Sequence, residues 1–138
     1  MLSIDKVTFS SEETTLFAES LYSSFVPGGV YGFIGDLASG KTTFIKGLLS
    51  GFKFKGMVNS PTFTLINEYN AKHRVIHIDC YREHNIERWI QLGILEYLNS
   101  NDIVLIEWPD IIESILPNEI QYIKFKTINK NKRRIITT

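Results

Sequence analysis

The chain has a single cysteine, Cys80, so it cannot close a disulfide within itself and reads as a protein of a reducing compartment. It has no excess of charge, since fifteen basic residues stand against fifteen acidic ones. A net charge near zero removes the electrostatic case for tight binding to nucleic acid or a membrane surface, local patches aside. No stretch approaches the roughly 18 uninterrupted apolar residues of a membrane span. The opening MLSIDKVTF is too short in apolar residues for a signal peptide. A cytoplasmic protein with no membrane partner is expected. No repeat, linker or low-complexity tract divides the 138 residues, which suit one domain, 1–138, with its own core. Metal-ligand clusters are lacking too. His73, His77 and His84 form no zinc spacing with Cys80. His77-x-Asp79 reads as strand alternation, and Cys80 as a small buried side chain rather than a reactive one.

What is present is an alternation of helix and strand. Ser3 to Phe9 reads as an edge strand. Ser10 and Glu13 have capping-box spacing, which predicts a helix from about Ser11 to Phe25, ended by Pro27-Gly28-Gly29. Val30 to Ile34 is a short buried strand, and a helix follows from about Lys41 to Ser50, closed by Gly51. Thr62 to Tyr69 alternates as a half-buried strand, with Phe63, Leu65, Asn67 and Tyr69 on one side. Val75 to Ile78 and Ile103 to Ile106 are buried strands that end at Asp79 and Glu107. Ile86 to Leu98 has helical spacing. Glu119–Ile128 and Arg134–Thr138 form a closing hairpin. The pattern predicts an α/β layered domain with a largely parallel central sheet and antiparallel C-terminal strands.

Between the buried strand and its helix lies Gly35-Asp36-Leu37-Ala38-Ser39-Gly40-Lys41-Thr42, a full match to G-x-x-x-x-G-K-[ST]. By chance such a match is expected in roughly one chain of this length in two hundred, and here it also sits in the required strand-to-helix context. The spacing has a physical reason. Glycines let the loop curl so that backbone N–H groups face a phosphate, and the helix N-terminus adds its positive dipole end. Lys41 reaches the β- and γ-phosphates, and the Thr42 hydroxyl is placed to ligate Mg²⁺. A second strand must bring a carboxylate to the metal. Asp79 and Glu107 both qualify, and their residue types do not rank them. The Ser60–Thr64 stretch reads either as a γ-phosphate-sensing loop or as a plain turn. Trp108 reads as core or as a shield over the nucleotide. The cluster Lys130, Lys132, Arg133, Arg134 reads as a solvated turn or as the source of an arginine against the nucleotide. The guanine-selecting Asn-Lys-x-Asp is missing, since Asn129-Lys130-Asn131-Lys132 lacks the acid, so ATP is the expected nucleotide. No arginine-rich lid of the small-molecule-kinase type is present, and Arg82 is a weak candidate for an in-built arginine finger.

Four blocks together resemble the TsaE (YjeE) family. They are Gly35-Asp36-Leu37-x-x-Gly40-Lys41-Thr42-Thr43, Ser60-Pro61-Thr62-Phe63-Thr64-Leu65, His77-x-Asp79-x-Tyr81-Arg82, and Ile106-Glu107-Trp108-Pro109. The resemblance implies a slow Mg²⁺-dependent ATPase that supports threonylcarbamoylation of adenosine 37 in tRNAs reading codons that begin with A. It implies a partner, the TsaB–TsaD heterodimer, in which TsaD carries the transfer chemistry, and contact with tRNA only through that complex. It implies that Lys41 and the loop amides from Gly35 to Thr43 hold phosphates, that Thr42 and Glu107 ligate Mg²⁺, and that Asp79 supports hydrolysis. Trp108 would flank the pocket, and residues near Ser10–Glu13 and Arg133 would approach the base. Two positions depart from the family pattern. Ala38-Ser39 stands where Gly-Ala is usual, and Lys132 replaces the glycine before the C-terminal arginine, which leaves Arg133 and Arg134 both open for the base contact. A small-molecule kinase, a non-catalytic ATP-binding adaptor and a direct tRNA binder are the alternatives.

Overall fold

The computed structural model describes residues 1–58 and 64–137. Among these, seven strands form one mixed sheet: β1 (Asp5–Thr8), β2 (Val30–Ile34), β3 (Ile66–Asn70), β4 (Arg74–Asp79), β5 (Ile103–Glu107), β6 (Gln121–Thr127) and β7 (Arg133–Thr137). Their order is β1-β7-β6-β2-β5-β4-β3. The middle is parallel, β4 with β5, β5 with β2, and β2 with β6, and the outer pairs are antiparallel. Strands β2, β5 and most of β4 are buried on both faces, which is why β2 and β5 are continuous apolar runs rather than alternating ones.

Helices α1 (Ser11–Ser20) and α2 (Lys41–Gly51) cover one face. Helices α3 (Ile86–Gln91) and α4 (Ile94–Leu98) cover the other, with a 3-10 segment at Pro109–Ile115. Tyr31, Phe33, Val75 and Leu105 point to the first core with Phe44, Ile45 and Leu48. Ile76, Ile78, Val104 and Ile106 point to the second with Trp89 and Ile94. The α/β fold expected from the pattern is therefore present, in three layers. No helix among the described residues is long and apolar enough to cross a membrane.

Helices α1 and α2 approach closely because α2 offers glycines at the contact. A Cβ on Gly47 would lie 2.4 Å from the Thr15 carbonyl oxygen and 2.7 Å from the Ala18 Cβ, and one on Gly51 would lie 2.5 Å from the Tyr22 Cβ. The α1 start follows its sequence signal, with the Ser10 hydroxyl accepting from the Glu13 N–H at 3.0 Å.

Three boundaries differ from the expectation. The first helix stops at Ser20 and tightens into a 3-10 turn at Tyr22–Ser24, which delivers Phe25 to the core against Tyr31. The predicted helix over 86–98 is two helices, because Gly93 takes a left-handed conformation (φ 85°) between them. The strand expected from Thr62 begins at Ile66. Leu65 precedes it and packs with Ile66 on the α3–α4 side, whereas Tyr69 faces the other core. Ser60, Pro61, Thr62 and Phe63 lie outside the described residues.

Candidate nucleotide site

The strand order reverses at β2. The chain leaves β2 through α2 toward β4, returns to β2 through β5, and then places β6 on the opposite side. Crevices at such switch points, outside the carboxyl ends of the strands, are where α/β sheets take ligands. The loop from Gly35 to Gly40 leaves β2 at that end. Gly40 has φ 104° and caps α2, so the first N–H groups of the helix face the crevice. Gly35 is required by space, since a Cβ there would lie 2.6 Å from the Ser39 Oγ and 2.8 Å from the Phe125 carbonyl oxygen.

A cavity of about 590 Å³ opens at this point. It is lined by loop and helix residues Leu37 to Thr43, by Asp79 at the end of β4 with Tyr81 and Arg82 beyond it, and by Glu107 at the end of β5 with Trp108 beyond it. Ser10, Ser11 and Thr14 of α1, Leu65, and Lys130, Asn131 and Arg133 of the last hairpin complete it. Of the residues expected to bind phosphate, Gly35 and Asp36 do not line the cavity. They lie behind it and hold Lys41, whose ammonium donates to both of their carbonyl oxygens. The same ammonium lies 3.9 Å from the centroid of the Trp108 ring, a cation–π distance. Trp108 is held there with φ 57°, ψ 51°, uncommon for a bulky residue, and packs against Tyr81 with ring centroids 4.9 Å apart and planes tilted by 46°. Lys41 is only 4% exposed. Burial pulls its ammonium below the usual lysine range, and the nearby carboxylates of Glu107 and Asp79 oppose that pull.

The two carboxylates are direct neighbours in register, Asp79 opposite Glu107 across the β4–β5 pair. Their surroundings differ. Glu107 is 3% exposed, and both of its oxygens lie 3.4 Å from the Thr42 hydroxyl. Asp79 is half-buried and accepts the Tyr81 N–H at 3.0 Å, and burial raises its carboxyl above the usual range. Glu107 and Thr42 thus present two hard oxygens side by side. Mg²⁺ is usually held by one or two carboxylates together with substrate phosphates and waters. That habit fits the absence, among the described residues, of any group of three or more His, Cys, Asp or Glu able to enclose a metal.

The two C-terminal arginines diverge. Arg133 lines the cavity and donates to the Ala38 carbonyl oxygen at 3.2 Å and the Asn129 carbonyl oxygen at 2.6 Å. Arg134 points away and forms an exposed two-bond pair with Asp5, at 3.0 and 2.9 Å. Cys80 is fully buried, and burial pushes its thiol far up, away from the thiolate form. One residue of the site was missed in the sequence. His77, fully buried in β4, places Nε2 2.7 Å from Glu107 Oε2.

Ala38 has φ 61°, so the departure from glycine at this position carries strain. An L-residue there costs about 1–2 kcal/mol, partly offset by the greater freedom glycine gives the unfolded chain, about 0.4–1 kcal/mol. Ala38→Gly is therefore expected to raise the melting temperature by roughly 2 °C. A thermal denaturation scan checks it, and a lower melting temperature would show that the loop relaxes around the methyl group.

The family model described as threonylcarbamoyl adenosine biosynthesis protein TsaE matches residues 8–136. The chain is 39% identical over 132 residues to the tRNA threonylcarbamoyladenosine biosynthesis protein TsaE of Bacillus subtilis strain 168, covering 95% of this chain and 82% of that one. It is 34% identical over 135 residues to the protein of the same description from Rickettsia bellii, covering 96% and 93%. The crystal structure of Bacillus subtilis YdiB superposes with a TM-score of 0.84 at 34% identity, over 99% of this chain and 84% of the other.

Proposed function

This chain belongs to the TsaE family of tRNA threonylcarbamoyladenosine biosynthesis, and from that premise we propose that it binds ATP with Mg²⁺ and hydrolyses it slowly, as a partner-dependent regulator of the pathway. The observation that carries the reading is the convergence of Lys41, Thr42, Asp79 and Glu107 on one cavity at the strand switch point.

The roles follow from the geometry. The amides of the 37–43 stretch and the α2 N-terminus receive the phosphate chain. The Lys41 ammonium leaves the Gly35 and Asp36 carbonyls for the β- and γ-phosphates, which relieves the desolvation that depresses it. Thr42 and Glu107 hold Mg²⁺, which when bound neutralises charge on the phosphate oxygens. Asp79, with its carboxyl raised by burial, orients the attacking water as a weak base beside Glu107. Trp108 and Tyr81 wall the phosphate end against solvent. Arg133 and Ser10–Ser11 at the start of α1 also line the cavity and take the base. Adenine follows from the missing guanine motif. Arg82 is exposed where it lines the cavity, and slow turnover by the isolated chain is part of this proposal.

The partner is the TsaB–TsaD heterodimer, which acts on tRNA in the cytoplasm, and this neutral chain meets tRNA only through that complex. Release of ADP and inorganic phosphate, measured with and without the heterodimer, tests the reading. Stimulation is expected, and Glu107→Ala or Asp79→Ala should remove it. Absence of stimulation where the three proteins co-elute would sink the regulatory ATPase. Phosphate appearing on an added small molecule would make the chain a kinase.

A further inference from the structure

A carboxylate as buried as Glu107 needs fixed donors, and the donor nearest to it is not the threonine of the phosphate loop. The Thr42 hydroxyl lies 3.4 Å from each Glu107 oxygen, too far and too evenly placed to orient the group. His77 Nε2 lies 2.7 Å from Oε2 alone, a charge-assisted distance, and both side chains are nearly or fully shut from solvent. His77 and Glu107 project from the same sheet face, offset by one pleat across the β4–β5 pair, where His77 stands in register with Leu105 and Asp79 with Glu107. The imidazole is fixed by the strand, not by a loop. Its other nitrogen, Nδ1, is buried and has no hydrogen-bond partner among the described residues. The His77–Glu107 contact is therefore the ring's one polar bond, and it demands a proton on Nε2, because a bare nitrogen would set a lone pair against the carboxylate.

We propose that His77 is a positioning residue that occupies one oxygen of Glu107 and leaves the other as a single metal ligand. The inference rests on the Mg²⁺ site proposed above and adds a consequence for metal choice. Mg²⁺ demands a near-ideal octahedron and takes carboxylates through one oxygen. Ca²⁺ accepts seven or eight oxygens and readily takes both oxygens of one carboxylate. A glutamate whose Oε2 accepts from a fixed imidazole keeps a lone pair there, but its plane is pinned, so turning both oxygens onto one ion would strain that bond and ligation through Oε1 alone is favoured. Loss of the imidazole frees Glu107 to rotate and to chelate, so Mg²⁺ binding weakens while Ca²⁺ binding is spared. Groups that orient a ligating carboxylate are worth about 10- to 100-fold in metal affinity.

The test uses the whole protein with ADP, which separates binding from hydrolysis. Calorimetry reads nucleotide affinity as Mg²⁺ or Ca²⁺ is raised. His77→Leu should raise the half-saturating Mg²⁺ concentration by about 10- to 100-fold, with little change for Ca²⁺ and none in metal-free ADP binding. His77→Gln, whose amide N–H reaches the place of Nε2, should restore most of the Mg²⁺ affinity. If glutamine rescues no better than leucine, the histidine only fills space and the proposal fails. Glu107→Gln separates the two levels of the argument. If it leaves the Mg²⁺ requirement unchanged, the metal site itself is wrong. If it shifts the requirement and His77→Leu does not, the His77 inference alone is overturned. Should both histidine variants fail to fold, nitrogen-detected NMR of the unsubstituted protein decides. A hydrogen-bonded proton on His77 Nε2, kept when Mg²⁺ and ADP are added, supports the assignment, and a bare Nε2 contradicts it.

Discussion

Lys41→Met is expected to weaken ATP binding by about 3 kcal/mol, roughly 150-fold, and to leave the melting temperature nearly where it was. Both halves come from the same side chain. The ammonium is almost fully buried without a carboxylate in contact with it. It is satisfied by the Gly35 and Asp36 carbonyls and the Trp108 ring, and burial works against its charge. Methionine has the same reach, packs against the indole and needs no solvation. The fold then loses hydrogen bonds and an unfavourable desolvation together, and the two largely cancel. Binding has no such compensation, because the other lysine that lines the cavity among the described residues, Lys130, belongs to the closing hairpin and not to the phosphate loop. Calorimetric titration with ATP and a thermal scan on the same preparation check the pair of outcomes. A variant that loses its fold along with its affinity would make Lys41 a structural residue first.

The second large effect is on stability and has the opposite sign from the one helix propensity dictates. In an exposed helix interior, glycine to alanine gains about 0.8–1 kcal/mol. Gly47→Ala is expected to cost about 2–3 kcal/mol. The added methyl would stand 2.4 Å from the Thr15 carbonyl oxygen, a backbone atom that cannot rotate away, and 2.7 Å from the Ala18 Cβ. Either α1 retreats from α2, opening the core around Phe44 and Phe25, or α2 turns and carries Lys41 and Thr42 with it. Urea denaturation measures the loss. A neutral or stabilising result would show that the two helices slide freely past each other.

How much of this was legible in the chain differs from residue to residue. The loop from Gly35 to Thr42 is contiguous, so its spacing carried its chemistry without any fold. The buried strands were legible because both faces of β2 and β5 are covered, which leaves unbroken apolar runs. Asp79 and Glu107 looked alike because each ends such a run, and strand order is a non-local property that no run encodes. His77 was passed over for the same reason, since its partner lies thirty positions downstream and a lone histidine in a strand looks like alternation. The helix break at Gly93 was hidden by apolar spacing that continues across it. Arg133 and Arg134 are separated only by the pleat of β7, which sends one to the cavity and the other to Asp5.

The bond from Arg133 to the Ala38 carbonyl spans ninety-five positions, and Gly35 packs on Phe125 from the same closing hairpin. A ribosome adding 5–20 residues per second needs roughly 5 to 20 s to cover that distance. Late in this interval the loop, β2, α2 and even β5 have been made, but β6 and β7, which brace the loop from the other side, have not. The part of the message that spells out the phosphate motif is thus translated well before the part that lets it work. A nascent chain passes through a period in which its most recognisable segment is present without its clamp, and in which the β2 edge that β6 will pair with is still open.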